Sequence, residues 1–273
     1  MDRVIISRDS GVCYITLNDG SNGNRLDGRF INDILNGLRA AESDGSVKAV
    51  MFRSSSPVFS LGMNLDLAAK KSGKGETAET AVKSYGRMLS RIRGLVKPVL
   101  ALVEGEVKAG GVGIVCACDA VLASETASFE LGEVLFGLIP ANVLPYLLLR
   151  ISPQKARYLI MTAKKIDAAE ALAIGLADEV FPAQAAEKTV RKRLKNICRS
   201  SPNALAEVKQ FTSKLLDLSF HEQLDPAVEK LTEMLKNEDI LEGIRSFQSG
   251  NLPVWFGKFS PKEPISLQLE EKE

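Results

Sequence analysis

The sequence predicts an α/β protein with a largely parallel sheet, followed by a helical C-terminal part. Three observations carry that prediction. Short apolar runs alternate with amphipathic helical patterns, which demands crossover connections and hence parallel pairing. An apolar run at 98–103 meets an apolar helical segment through a turn of small residues: Lys108, Ala109, Gly110, Gly111, Val112 and Gly113. Beyond Pro140, helical spacing of the apolar residues prevails. With 273 residues and 45% apolar content, the chain can bury a large core.

Taken in order, residues 4–7 and 12–17 are strand-forming runs separated by the hairpin signal Asp9-Ser10-Gly11. Residues 18–24 are turn-rich. Ile31, Ile34, Leu35 and Leu38 fall at helical spacing, so 30–42 is an amphipathic helix, and 47–53 is a short apolar strand. Residues 59–65 read as a strand passing through a glycine bend into a helix. The polar, lysine-rich stretch 70–81 predicts a mobile surface loop, and 85–95 a second helix. After the small-residue turn come an apolar segment ending at Cys118 and Asp119, a short β-prone run, and Phe129-Glu130-Leu131-Gly132-Glu133. Residues 143–150 are apolar. Ser152 and Pro153 are the N-cap and first position of a helix, and 168–174 is a short helix closed by Gly175. Residues 179–182 read as a strand end, 183–200 as a basic amphipathic helix, and Ser201-Pro202 as the start of another. Leu231, Met234, Leu235 and Ile240 extend helical periodicity over 224–246, and the stretch after Phe259 is expected to fray.

A formal charge of +1 argues against nucleic acid or a membrane surface as the partner. No leader pattern or membrane-spanning run is visible. Cys13, Cys116, Cys118 and Cys198 show no metal-ligand spacing, so no metal site is expected. The expectation is a soluble cytoplasmic protein with buried thiols. One histidine, His221, excludes any mechanism that needs two imidazoles. Glycines between a strand and a helix leave N–H groups free to meet an anion or oxyanion. Glu133, a carboxylate in an apolar stretch just downstream, sharpens that signal.

The order and spacing of these pieces resemble the crotonase superfamily of enoyl-CoA hydratases and isomerases over roughly the whole chain. The carrying residues are Phe59-Ser60-Leu61-Gly62-Met63-Asn64-Leu65, Lys97-Pro98-Val99, Val103-Glu104-Gly105, Ala109-Gly110-Gly111, Cys118-Asp119, Phe129, Glu133 and Gly137-Leu138-Ile139-Pro140. Ala168-Ala169-Glu170-Ala171, Gly175-Leu176-Ala177-Asp178 and residues 238–244 continue the match. The resemblance implies a spiral of ββα units over 1–198 and a C-terminal helical oligomerisation region over 199–273. It further implies a trimer, with hexamers as dimers of trimers a further assembly. The thioester oxygen is then expected between the backbone N–H groups of Met63 and Gly110. Hydratases of the family carry two glutamates; here the first position is Gly113 and the second is Glu133. One glutamate suits removal of a C2 proton better than addition of water.

The strings Gly110-Gly111-Val112-Gly113, 131–145 and 150–156 are similar to the dehydratases of polyketide β-branching cassettes. That resemblance implies dehydration of 3-hydroxy-3-methylglutaryl on an acyl carrier protein. No cofactor is expected beyond the phosphopantetheine of the carrier protein or coenzyme A that presents the substrate. Tyr85, Arg87 and Asn142 are candidates to meet the distal substrate carboxylate. Lys70, Lys71 and Lys74, or Arg25 and Arg29, are candidates to meet an acidic carrier protein. Δ3,Δ2-enoyl-CoA isomerisation, enoyl-CoA hydration and an inactive scaffold stand as alternatives. Retention of Glu133 counts against the related decarboxylases and against the scaffold.

Overall fold

The computed structural model describes residues 2–64 and 77–267. β1 (Val4–Asp9) and β2 (Val12–Leu17) form the expected hairpin. Its two-residue turn places Ser10 and Gly11 at φ 49° and 82°, the left-handed pair that matches strand twist. α1 (Gly28–Ser43) follows, capped by the Asp27 carboxylate, which accepts from the Phe30 N–H. Then come β3 (Ala49–Ser54), β4 (Val58–Ser60), α2 (Ala78–Gly94), β5 (Val99–Val103), β6 (Glu106–Lys108), α3 (Gly110–Ala117), β7 (Ala120–Ser124) and β8 (Ser128–Glu130).

The pairs β3–β4, β5–β6 and β7–β8 each consist of a strand, a short bend and a second strand. First members join a six-stranded sheet in the order β1-β2-β3-β5-β7-β10, and second members a four-stranded sheet, β4-β6-β8-β9. Each turn of the chain thus gives one strand to each sheet, which is the spiral of ββα units expected from the sequence. The remaining elements are a one-turn α4 (Leu144–Leu147), α5 (Pro153–Thr162), β9 (Ile166–Asp167), α6 (Ala168–Ile174), β10 (Glu179–Phe181), α7 (Ala186–Arg199), α8 (Pro202–Leu215), α9 (Phe220–Met234) and α10 (Glu238–Gln248). Ser152 caps α5, Gly175 closes α6 at φ 85°, and Ser201 caps α8.

Residues alternate across β2. Cys13, Ile15 and Leu17 join the main core with Phe30, Ile34 and Leu38 of α1 and Met88, Leu89 and Ile92 of α2. Val12 and Tyr14 face the other way, into a second cluster with Met51, Leu100, Leu102, and Val190 and Leu194 of α7. By contrast α8 and α9 bury no residue fully, and α10 buries only Gly243. No helix among the described residues is long and apolar enough to cross a membrane.

The structure departs from expectation in four places. β6 and β9 are too short for their side-chain pattern to announce a strand. The chain expected to loop through residue 81 is helical from Ala78, because Thr77 caps it by accepting from the Thr80 N–H. Lys70, Lys71 and Lys74 lie outside the described residues. The single helix expected over 224–246 breaks in two: α9 already starts at Phe220, where Glu222 accepts from the Ser219 N–H. It stops at Met234, and Asn237 restarts helix by accepting from the Asp239 and Ile240 N–H groups.

The fourth departure is the tail beyond Phe259, which is tied down at least to Ser266. Buried Arg53 donates to the Pro264 and Ile265 carbonyls and to Thr16 Oγ1, and its guanidinium lies 4.6 Å from the centre of the Tyr14 ring. Glu187 accepts from the Ile265 and Ser266 N–H groups, and the Ile265 side chain fills the second cluster. Charge-assisted bonds to backbone thus replace secondary structure there. Ile265→Ala is expected to cost about 2–3 kcal/mol, read as a lower urea midpoint at unchanged slope. A loss under about 0.5 kcal/mol would mean that the tail is not packed.

Candidate active site

Three positions marked by the sequence stand just beyond three neighbouring strand ends. β4, β6 and β8 are parallel and adjacent. The chain leaves them at Gly62-Met63, at Ala109-Gly110 and at Gly132-Glu133. Neighbouring strands lie about 4.8 Å apart, so the three exits fall within reach of one small acyl group.

At the first exit Gly62 has φ 81°, and a Cβ there would lie 2.6 Å from the Gly110 nitrogen. The two exits are therefore in direct contact, which only glycine permits. Ser60 fixes the bend: its Oγ accepts from the Gly62 N–H at 3.1 Å and donates to the Asn24 carbonyl at 2.9 Å. Buried Asn24 in turn donates through Nδ2 to the Val58 and Phe59 carbonyls. Leu26 bridges the far side, donating to Gly62 O and accepting from the Asn64 N–H. The Met63 N–H between them has no acceptor among the described residues.

At the second exit Ala109 sits at φ 47°, ψ −123°, a conformation that costs a residue bearing a Cβ about 1–3 kcal/mol. The surroundings hold it there. Its N–H donates to Glu130 O at 2.9 Å, and its carbonyl accepts from the Val112 N–H at 3.0 Å. The ψ of Ala109 aims the next N–H, that of Gly110, which also has no acceptor among the described residues. On its other side Gly110 is pinned through its carbonyl, which accepts from the Tyr85 hydroxyl at 2.6 Å.

At the third exit Glu133 opens a 3₁₀ turn, Glu133–Phe136, closed by Gly137 at φ 81°. Glu133 is 9% exposed, and its Oε2 is buried with no hydrogen-bond partner. Burial raises its pKa above the ordinary glutamate range, its own backbone N–H opposes the shift, and the charge of Glu130 adds to it. Burial likewise pushes the Tyr85 phenol well up, with Cys116 and Glu133 adding to the shift, so Tyr85 stays protonated. Two unpartnered N–H groups and a proton-avid carboxylate with one oxygen unpartnered are the parts needed to make and hold an enolate.

The other expectations fare differently. Position 113 carries no carboxylate and has no room for one, since a Cβ on Gly113 would lie 2.1 Å from the Tyr85 hydroxyl. Arg87 does not join the site: it is exposed on α2, two residues and so roughly 200° round the helix from buried Tyr85. Asn142 spends its amide on the Val82 carbonyl at 3.0 Å, tying the loop after Glu133 to α2. Arg25 is half-buried and Arg29 exposed near the start of α1. Sequence reasoning met Ala109 and Ser60 only as members of motifs and Asn24 only as part of a turn, and missed their contributions, which are backbone strain and hydrogen bonds to backbone. Cys116 and Cys118 are buried thiols, as expected, and Cys13 and Cys198 are buried and free as well. Among the described residues no cluster of three His, Cys, Asp or Glu could hold a metal ion. A groove of about 1200 Å³ between α8, α10 and residues 249–256 contains none of these site residues.

The sequence matches the family model described as Enoyl-CoA hydratase/isomerase over residues 7–258. It is 31% identical to the Bacillaene synthase dehydratase PksH of Bacillus subtilis over 251 residues, 89% of this chain and 93% of that one. It is 27% identical to the 2,3-dehydroadipyl-CoA hydratase of Escherichia coli, covering 94% of this chain and all of the other. The solved structure of Pseudomonas aeruginosa AtuE superposes with a TM-score of 0.85 at 29% identity, over 93% of this chain and 99% of that one.

Two outcomes follow from the geometry. Gly62→Ala would drive a Cβ into the Gly110 nitrogen at a positive φ, so a loss of several kcal/mol in stability and of nearly all turnover is expected, read by urea unfolding and steady-state kinetics. For Glu133, folding raises the pKa, so the native state binds a proton more tightly than the unfolded chain, and ionising the group costs stability as pH rises. Glu133→Gln should therefore raise Tm at pH 7, the gain fading as pH falls through the raised pKa towards the ordinary value of 4.5. An unchanged Tm difference across that range would contradict the buried, unpartnered carboxylate.

Proposed function

The chain belongs to the enoyl-CoA hydratase/isomerase family, and from that premise we propose that it dehydrates 3-hydroxy-3-methylglutaryl held as a thioester on an acyl carrier protein. At the coarser level it is an enzyme of the hydratase/dehydratase class acting on acyl thioesters. The observation that carries the finer reading is the single carboxylate. Among the described residues Glu133 is the only buried one, and Gly113 stands where the family's hydratases carry their first glutamate. Similarity to a protein named as a dehydratase supports the same direction.

In this reading the Met63 and Gly110 N–H groups donate to the thioester oxygen, whose charge grows as Glu133 takes the C2 proton. The C2–H electron pair moves into the enolate, then returns to form the C2–C3 double bond as the C3–O bond breaks. Glu133, now protonated, gives its proton to the departing hydroxyl, so water leaves and the carboxylate is restored. A tertiary C3 eases the departure by relieving crowding, and one residue can serve both steps in a syn elimination, in which the C2 proton and the C3 hydroxyl leave from one face of the substrate. The elimination draws only on the thioester and these residues. The distal carboxylate of the substrate has no receptor assigned, since Tyr85 and Asn142 are already committed and Arg87 faces away.

Assembly belongs to the same proposal. Phe220 at 70%, Val228 at 67% and Phe247 at 82% exposure leave apolar side chains on α9 and α10 uncovered in a single chain, which supports a trimer built through the C-terminal helices.

The test is mass spectrometry of 3-hydroxy-3-methylglutaryl-carrier protein incubated with the wild type and with Glu133→Gln. Loss of one water with the wild type, and a rate lower by about a thousandfold in the variant, is expected. No mass change with the wild type would sink the substrate assignment, and conversion of a 3-enoyl thioester to its 2-enoyl isomer would then replace it.

A further inference from the structure

The family's hydratases are expected to hold a carboxylate at the position of Gly113, and the structure shows what stands there instead. Gly113 lies one turn into α3, three residues after Gly110. A Cβ built on it would meet the Tyr85 hydroxyl at 2.1 Å, and next the Val143 Cγ2 at 3.1 Å and the Leu89 Cδ1 at 3.2 Å. The last two are apolar side-chain atoms that can yield by a few tenths of an ångström. The hydroxyl cannot, because it is fixed by its 2.6 Å bond to the Gly110 carbonyl. Tyr85 comes from α2 and is 2% exposed, so the phenol is held by packing as well as by that bond.

We propose that Tyr85 is the positioning and specificity-determining residue of this site: its phenol fills the volume of a side chain at position 113 and anchors the peptide of Gly110. The two effects are linked. Gly110 is the most pliable residue in the pair of N–H donors, strained Ala109 fixes its N-terminal side, and Tyr85 fixes its C-terminal side. The atom that performs this anchoring also denies position 113 to any side chain. The site is thereby confined to one acid–base group, and Tyr85 and Gly113 must change together. The specificity half rests on the reading of Glu133 as the working carboxylate; the steric half does not.

The experiment is a double-mutant cycle with two readouts. Gly→Ala inside a helix ordinarily stabilises, so the sign of the effect is informative. Gly113→Ala should lower Tm in the wild type, and should raise it or leave it unchanged in the Tyr85→Phe background, where the obstructing hydroxyl is gone. An equal loss of Tm in both backgrounds overturns the steric pair. Dehydration of 3-hydroxy-3-methylglutaryl-carrier protein by Tyr85→Phe should fall about tenfold in kcat, with KM within about twofold. Full kcat in Tyr85→Phe overturns the anchoring role. If the wild type does not dehydrate that substrate, the proposed reaction fails, while the thermal cycle still decides whether Tyr85 governs position 113.

Discussion

The contact between the Gly62 bend and the first turn of α3 is the constraint on which the site depends. With the space for a Cβ only 2.6 Å from the Gly110 nitrogen, the two chain segments are as close as backbones come without bonding. That closeness is bought by arrangements on either side. Asn24 and Ser60 hold the bend through buried bonds to backbone, and Glu130 with Val112 holds Ala109 in a strained conformation. None of these groups need touch a substrate. Each serves to leave two N–H groups, on Met63 and Gly110, without an acceptor among the described residues. Preorganised donors of this kind stabilise charge without reorganising when it appears, which is why a fold would retain strain that a purely structural turn would shed.

Glu133 extends the same logic to a charge. A carboxylate with one oxygen buried and unpartnered is a cost to folding, and a core that answered only to stability would carry Gln, Leu or Met there. Its raised pKa makes it a better proton acceptor than a solvated glutamate, so the destabilising feature and the chemical one are the same desolvation. The 3₁₀ turn that begins with Glu133 fixes the backbone from which that side chain projects. Gly137 closes the turn in the left-handed region, and the Leu138 N–H bonds back to the Glu133 carbonyl at 3.1 Å.

Much of this was legible in the sequence. The hairpin at Ser10-Gly11, the caps Ser152 and Ser201, the stop at Gly175 and the amphipathic α1 are local signals, and local signals sufficed. The order of small motifs then carried the spiral, which periodicity alone does not reach. What escaped was set by tertiary context. β6 is three residues long, so its pairing with β4 and β8 comes from the stacking of successive turns and not from its own pattern. The tail around Ile265 reads as polar and proline-broken, yet a buried arginine and Glu187 claim its backbone. At the site the sequence pointed to Glu133, Met63 and Gly110 and misjudged Arg87, because a position on a helix face cannot be fixed without knowing which face is buried. Ala109 was visible only as one small residue of a motif, and its strain was not, since φ and ψ leave no trace in residue type.

The spiral also explains how such a site can stay intact with glycine at position 113. Each turn of the chain delivers one part: β4 leads to the first N–H, β6 to the second, and β8 to the carboxylate. The parts are joined by strand pairing and not by one another, so a substitution within one turn leaves the others where they are. Gly113 lies in α3, beyond the N–H donor of its own turn, and its side-chain volume belongs to α2 of the preceding turn through Tyr85. A phenol rather than a carboxylate at that boundary would limit which proton transfers are possible while both N–H donors stay in place. Architecture fixes where an acyl thioester can sit, and the residues that fill the space beside it decide what happens next.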